Sequence, residues 1–180
     1  MTDENPKNVL ILNSNIGVDA IVSEGWPDGK WEIIKGNPLN PKPIYRGKYD
    51  VVYANHVLNR ARNWKAKQAL IRWMKCLRPE GELHMFVPCI EWVIGAYNID
   101  NQPDNLLDHL YGYNEGKKTQ DFHSSYDMKL LRSLCDQADI AVRWAKYGIY
   151  TVNLSDGKTV EGGQHYLMGV ARDENIRTEE

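Results

Sequence analysis

The side chains most able to do chemistry in this sequence are few and widely spaced. His56 follows an apolar, β-branched run, Tyr49 to Ala54, that reads as a strand. An imidazole at a strand end can orient a ligand or act as a base near neutral pH, and it can equally serve only to cap the strand. Cys76, Cys89 and Cys135 are odd in number and isolated. They form neither a disulfide framework nor the closely spaced pairs of a zinc site, and they read as small buried apolar residues in a reducing compartment. Between Asp50 and Glu80 no acid occurs, while Arg60, Arg62, Lys65, Lys67, Arg72, Lys75 and Arg78 cluster. The basic face over 60–78 is either a solvated helix side or a seat for an anionic partner.

The elements that must position these groups alternate. Lys7 to Asn13 is a continuous apolar run of strand length, and Trp31 to Ile34 is a second, shorter one. The three prolines between Gly36 and Pro43 forbid regular pairing and mark a loop. From Asn63 to Leu77, Ala66, Ala69, Leu70, Trp73, Met74 and Leu77 recur at helical spacing, and Pro79 with Gly81 should stop that helix before a strand from Glu82 to Val87. Glu91 to Phe122 reads as a long excursion, a lid or an interface, with one short helix near Asp104 to Leu110. A second amphipathic helix spans Asp127 to Ala138. Strands from Ile140 to Trp144 and Tyr166 to Ala171 close the chain around a hairpin turn over Asn153 to Gly157, and the polar tail 173–180 should fray.

Strand–helix alternation with near-continuous apolar strands implies an α/β three-layer sandwich around a mostly parallel sheet. Ligands settle at the carboxyl ends of such strands. One rim should therefore carry Asn13, Ser14, Asn15 and Gly17 after the first strand, Asn37 after the second, and Asn55 with His56 after the third.

The 180 residues suit one domain. A net charge of −2 disfavours general nucleic-acid binding. No apolar run approaches the ~20 residues that cross a bilayer. The polar N-terminus, Met1 to Lys7, lacks the pattern of a secretory signal, so a cytoplasmic location is expected.

Three blocks then carry a family likeness. Tyr49-Asp-Val-Val-Tyr-Ala-Asn-His-Val-Leu58, Ala69 to Leu83 with its Leu-Arg-Pro-Glu-Gly ending, and Phe86-Val-Pro88 together resemble the central block of small class I S-adenosylmethionine-dependent methyltransferases. Phe122-His-Ser-Ser-Tyr-Asp127, followed by a Leu-rich helix, resembles that family's C-terminal half. The resemblance implies a Rossmann-like sheet of seven strands with an antiparallel last strand, and S-adenosylmethionine as cofactor, leaving S-adenosylhomocysteine as product. It also implies cofactor-binding roles for Asn13, Ser14, Asn15, Gly17, Asn37, Asn55 and His56. His56, Glu91 and His123 become the candidate catalytic groups, Glu91 on the acceptor side and His123 either above the acceptor or on a lid surface.

Some family features are altered. The loop after the first strand holds one glycine, Gly17, where the family has a Gly-x-Gly pattern, and no acid stands after the second strand to grip a ribose. Asn13 to Tyr49 is too short for two complete βα units of roughly 30 residues each, so the N-terminal half should be shortened. Two functions follow as expectations: methyl transfer to an unidentified acceptor, or an inactive descendant serving as a binding or assembly module, with a homo-oligomer as one partner option for either.

Overall fold

The computed structural model describes residues 6–12, 29–100, 114–115, 118–119, 123–153 and 159–172. Its main sheet has six strands, β1 (Lys7–Ile11), β2 (Gly29–Ile33), β3 (Tyr49–Asn55), β4 (Leu77–Pro88), β7 (Ile140–Asn153) and β8 (Thr159–Ala171), in the order β2-β1-β3-β4-β8-β7. The first four run parallel, and β8 lies antiparallel between β4 and β7. Among the described residues the α-helices are α1 (Asn63–Met74), α2 (Ile90–Asp100) and α3 (Met128–Gln137), and β5 (Asn114–Glu115) pairs with β6 (Lys118–Thr119) apart from the sheet.

Alternation along each strand sends side chains to two faces. Leu10, Val52, Ala54, Leu83, Met85, Val87 and Leu167 share one face with the buried stripes of α1 and α3, in one cluster. Val9, Ile11, Val51, Tyr53, Phe86 and Tyr166 form a smaller cluster on the other. Phe86 stacks on Tyr166 at 4.1 Å between ring centroids. Burial on both faces is why these strands read as unbroken apolar runs rather than as alternating ones.

The loop between β2 and β3 contains one 3-10 turn, Pro43–Tyr45, and no further strand. The shortening expected from chain length is located there, and among the described residues the sheet has six strands where the resemblance implied seven. The loop is tethered rather than loose: Trp73 Nε1 donates to Pro38 O at 2.8 Å, and Tyr45 OH accepts from Lys35 N at 3.0 Å.

Several expected boundaries move. Helix α1 ends at Met74, not Leu77, and β4 starts at Leu77, so Pro79 does not stop the helix. The cause is the carbonyl of Cys76, which accepts from Lys48 N and Tyr49 N and draws the chain into the sheet before the proline is reached. Residues 78–81 then leave the ladder between the pairs Tyr49↔Leu77 and Val51↔Glu82. A Cβ on Gly81 would stand 3.1 Å from both Arg78 O and Asp50 O, so glycine closes this detour.

Residues 90–100 are helical where an irregular excursion was expected. Ile-Glu-Trp-Val-Ile-Gly-Ala-Tyr is apolar on nearly every side, and that hides the helical period. Strands β7 and β8 run to fourteen and thirteen residues, well past Trp144 and back before Tyr166. Their middle stretches hold Gly148, Gly162 and Gly163, which mask strand character in the sequence. Asn153 pairs with Thr159 across the expected hairpin turn. The short helix expected over 104–110 and the tail 173–180 lie outside the described residues.

Candidate functional site

Strand β3 ends by changing hand. His56 N–H donates to Phe86 O at 2.9 Å, extending the β3–β4 ladder by one bond, and His56 itself sits at φ 50°. The left-handed region is costly for a side chain with a Cβ, by roughly 1–2 kcal/mol, and such strain concentrates where a fold fixes a functional group. Beyond it, Leu58–Arg60 forms a 3-10 turn. The turn is clamped from outside: His123 N and Ser124 N donate to Asn59 O at 2.7 and 3.1 Å, Ser124 Oγ donates to Ala61 O at 2.7 Å, and Tyr126 OH donates to Leu58 O at 3.3 Å.

The turn also buries polar groups. Asn59 is fully buried, and among the described residues both atoms of its amide lack partners, as do Nε and Nη2 of half-buried Arg60. Burial lowers the Arg60 pKa. Arg60 therefore does not belong to the exposed basic face. That face consists of Arg62, Lys65, Lys67 and Arg72, with Arg62 over the exposed Trp64 ring at 5.3 Å.

At the end of β4, Cys89 N donates to Gly163 O at 2.9 Å, fixing this corner to β8. Cys89 Sγ donates to Glu91 Oε2 at 3.0 Å, and His165 Nε2 lies 3.1 Å from the same oxygen. Met128 N donates to Glu91 Oε1 at 3.4 Å. Burial and the Glu91 bond push the Cys89 thiol up to about 11. Burial also pushes the Glu91 pKa up, but bonds from Cys89, its own backbone and His165 outweigh that and leave it below the usual carboxylate value.

His56 Nε2 lies 3.2 Å from Gln164 Oε1. Gln164 and His165 are adjacent on β8, so their side chains leave opposite faces of the sheet. His56 and Glu91 thus share a rim but lie on its two sides. His123 is exposed on the outer flank of the 58–60 turn, with a backbone bond to Asn59 as its described contact. Asn37 is exposed, and its Oδ1 accepts from Leu39 N at 3.0 Å, closing an Asx turn. Asn55 ends β3, half-buried and paired with Phe86. Asn13, Ser14, Asn15 and Gly17 lie outside the described residues.

Topology decides the fold. No protein-family profile matches the sequence, and no curated protein does. Solved structures match along nearly the whole chain. An S-adenosylmethionine-dependent methyltransferase from Methanosarcina mazei is similar with TM-score 0.53 at 8% identity, over 94% of this chain and 95% of that one. A Haloferax volcanii protein assigned as a methyltransferase, in complex with the Trm112 methyltransferase activator, gives 0.58 at 12% identity, over 97% and 86%. The Burkholderia thailandensis 1,6-didemethyltoxoflavin-N1-methyltransferase with bound S-adenosylhomocysteine gives 0.56 at 12% identity, over 93% and 72%. This chain has the class I methyltransferase fold.

Within that methyltransferase fold the second strand is followed by Ile34, Lys35, Gly36 and Asn37, so no carboxylate stands at its end. Glu32, the acid inside β2, is engaged elsewhere: its Oε2 accepts from Tyr49 OH at 2.5 Å. Two surface pockets of about 480 and 640 Å³ open at the opposite, amino-terminal end of the sheet, both lined by Asn8, Lys30 and Arg78. Ligands of doubly wound sheets bind at the carboxyl ends, and Asp50 already ties this amino end together by accepting from Asn8 N and Arg78 Nη1. We therefore place the candidate site at the His56 and Glu91 rim.

Sequence reading missed Gln164, His165 and the thiol role of Cys89. Glu91 and His165 are 74 positions apart, and no local spacing links them.

Proposed function

We propose that this chain transfers a methyl group from S-adenosylmethionine to an acceptor held at the carboxyl-end rim between β3 and β4. The observation that carries this reading is the shared topology: solved S-adenosylmethionine-dependent methyltransferases superpose over more than nine-tenths of this chain, one of them with S-adenosylhomocysteine bound. The left-handed turn at His56, at the rim where this fold receives ligands, supports the same reading.

The sulfonium donor is already activated, so what the protein must supply is alignment and, for a protonated acceptor, a place for the departing proton. His56, positioned by Gln164 through Nε2, is the group we assign to that second task. Asn55 and the loop from Asn13 to Gly17 are the cofactor-side contacts this reading needs. Asn37 enters only if its Asx turn opens, because its oxygen is already bonded.

Without a carboxylate after β2, the ribose lacks the grip expected in this family, and affinity should be modest. Titration calorimetry with S-adenosylhomocysteine is expected to give a Kd in the micromolar range or weaker, near −8 kcal/mol. Absence of heat at millimolar ligand would sink the reading and leave a non-catalytic module of the same fold.

A further inference from the structure

Three different ligand types converge at the corner where β4 ends. Cys89 Sγ and His165 Nε2 reach one and the same oxygen, Glu91 Oε2, at 3.0 and 3.1 Å. The three ligand atoms lie within 4.8 Å of one another. Around a tetrahedral zinc ion, with metal–sulfur bonds near 2.3 Å and metal–nitrogen or metal–oxygen bonds near 2.0–2.1 Å, neighbouring ligand atoms stand roughly 3.3–3.6 Å apart. The two contacts to Glu91 Oε2 need to open by about 0.3–0.6 Å to match, and the Cys89 Sγ to His165 Nε2 edge, at most 4.8 Å, lies within reach of the same geometry.

The surroundings favour a fixed site. Cys89 is held to β8 by its bond to Gly163 O, two residues from His165, and Trp92 fills the space where a Cβ of Gly163 would stand. Met128 N orients the second carboxylate oxygen. His165 is 5% exposed, and among the described residues its Nδ1 has no partner while Nε2 meets Glu91. Cys89 is buried while the Glu91 side chain is 52% exposed, which leaves one side of the cluster open to solvent beside the exposed Tyr147.

We propose that Cys89, Glu91 and His165 form a three-ligand site for a zinc-type divalent cation, with a fourth position open at the rim. A thiolate, an imidazole and a carboxylate suit zinc, whereas magnesium and calcium take oxygen ligands alone. In the metal-free state the thiol proton bridges sulfur and carboxylate. On binding, the S–H bond breaks, sulfur and Glu91 oxygen both ligate the ion, and the proton leaves to solvent. The site does not depend on methyl transfer, so it stands or falls separately.

The test is titration of the tag-free, chelator-treated chain with Co²⁺ and then Zn²⁺. One equivalent of Co²⁺ is expected to produce thiolate-to-metal charge-transfer absorption, Zn²⁺ should abolish it, and about one proton should be released per ion. C89S should lose the charge-transfer band, and H165Q and E91Q should each weaken Zn²⁺ binding at least tenfold. Glu91 is exposed enough that E91Q should melt near the parent temperature, so it reports on ligation even if a buried variant misfolds. No spectral change at 100 μM Co²⁺, or equal Zn²⁺ affinity in the parent and E91Q, would overturn the site.

Discussion

Gln164 and His165 stand side by side on β8 yet serve opposite faces of the sheet, Gln164 meeting His56 at 3.2 Å and His165 meeting Glu91 at 3.1 Å. A single antiparallel strand therefore braces both candidate groups, and the rim should respond to changes in β8 as strongly as to changes in the parallel strands.

Gly163 shows this most directly. A Cβ there would lie 2.4 Å from Cβ and Cγ of Trp92, so G163A must displace the indole or the strand. Chemical unfolding should show a loss of about 1–3 kcal/mol. The double variant G163A/W92A should be less destabilised than the sum of its parts. G148A, with open space around the same atom, is the control and should change stability little in either direction. Additive behaviour would contradict the packing described.

At His56 the backbone and the ring can be separated. Both H56A and H56G lose the Gln164 contact, but only alanine retains the left-handed strain at φ 50°. Urea melts should place H56G about 1 kcal/mol above H56A. If His56 accepts the acceptor's proton, both variants should depress kcat at neutral pH and shift its pH profile, once an acceptor is found.

Trp73 is a tether as well as a core residue. W73F keeps most of the buried ring but strands the Pro38 carbonyl, which should cost about 1–2 kcal/mol. Limited proteolysis should cut within 36–43 sooner in this variant. Unchanged cleavage would mean the loop is held by its other contacts alone.

His84 makes stability depend on pH. Burial lowers its pKa, an effect the Glu82 bond opposes, while its Nδ1 lies 2.5 Å from Tyr166 OH. A histidine whose folded pKa is below the unfolded value of about 6.5 binds more protons when unfolded, so stability falls as pH drops below that value. Glu91, also lowered, acts in the same direction further down the scale. Denaturant midpoints should be lower at pH 5.5 than at pH 7.5, and H84Q should narrow the difference.

Much of this fold is legible in the residues themselves. The apolar runs at Val9 to Leu12 and Val51 to Ala54 announce doubly covered parallel strands, and the stripe Ala66, Ala69, Leu70, Trp73 and Met74 is the buried face of α1. Asp127 caps α3 as a residue before a Leu-rich helix should, accepting from Leu130 N at 2.6 Å. Helix α2 is hidden because its residues from Ile90 to Tyr97 are apolar around most of the circumference. Strands β7 and β8 were cut short because their glycines look like turns when read alone. Of the candidate groups, His56 is suggested by the end of the Tyr49 to Ala54 strand and Glu91 by the family resemblance after Val87-Pro88. Gln164 and His165 are not legible, because the pairings that bring β8 beside β4 join the middle of the sequence to positions some 76–88 residues further on.

The placement of β8 also orders events during synthesis. The strand that braces the rim is inserted between β4 and β7, and it is the last of the six to leave the ribosome. Until it emerges, β4 carries one bare flank and Cys89 has neither its Gly163 acceptor nor its His165 neighbour. A nascent chain can assemble the β1–β3–β4 half early, but it becomes competent only when the final hairpin slots home, and premature termination anywhere before it would release a sticky half-sheet rather than a weakly working protein.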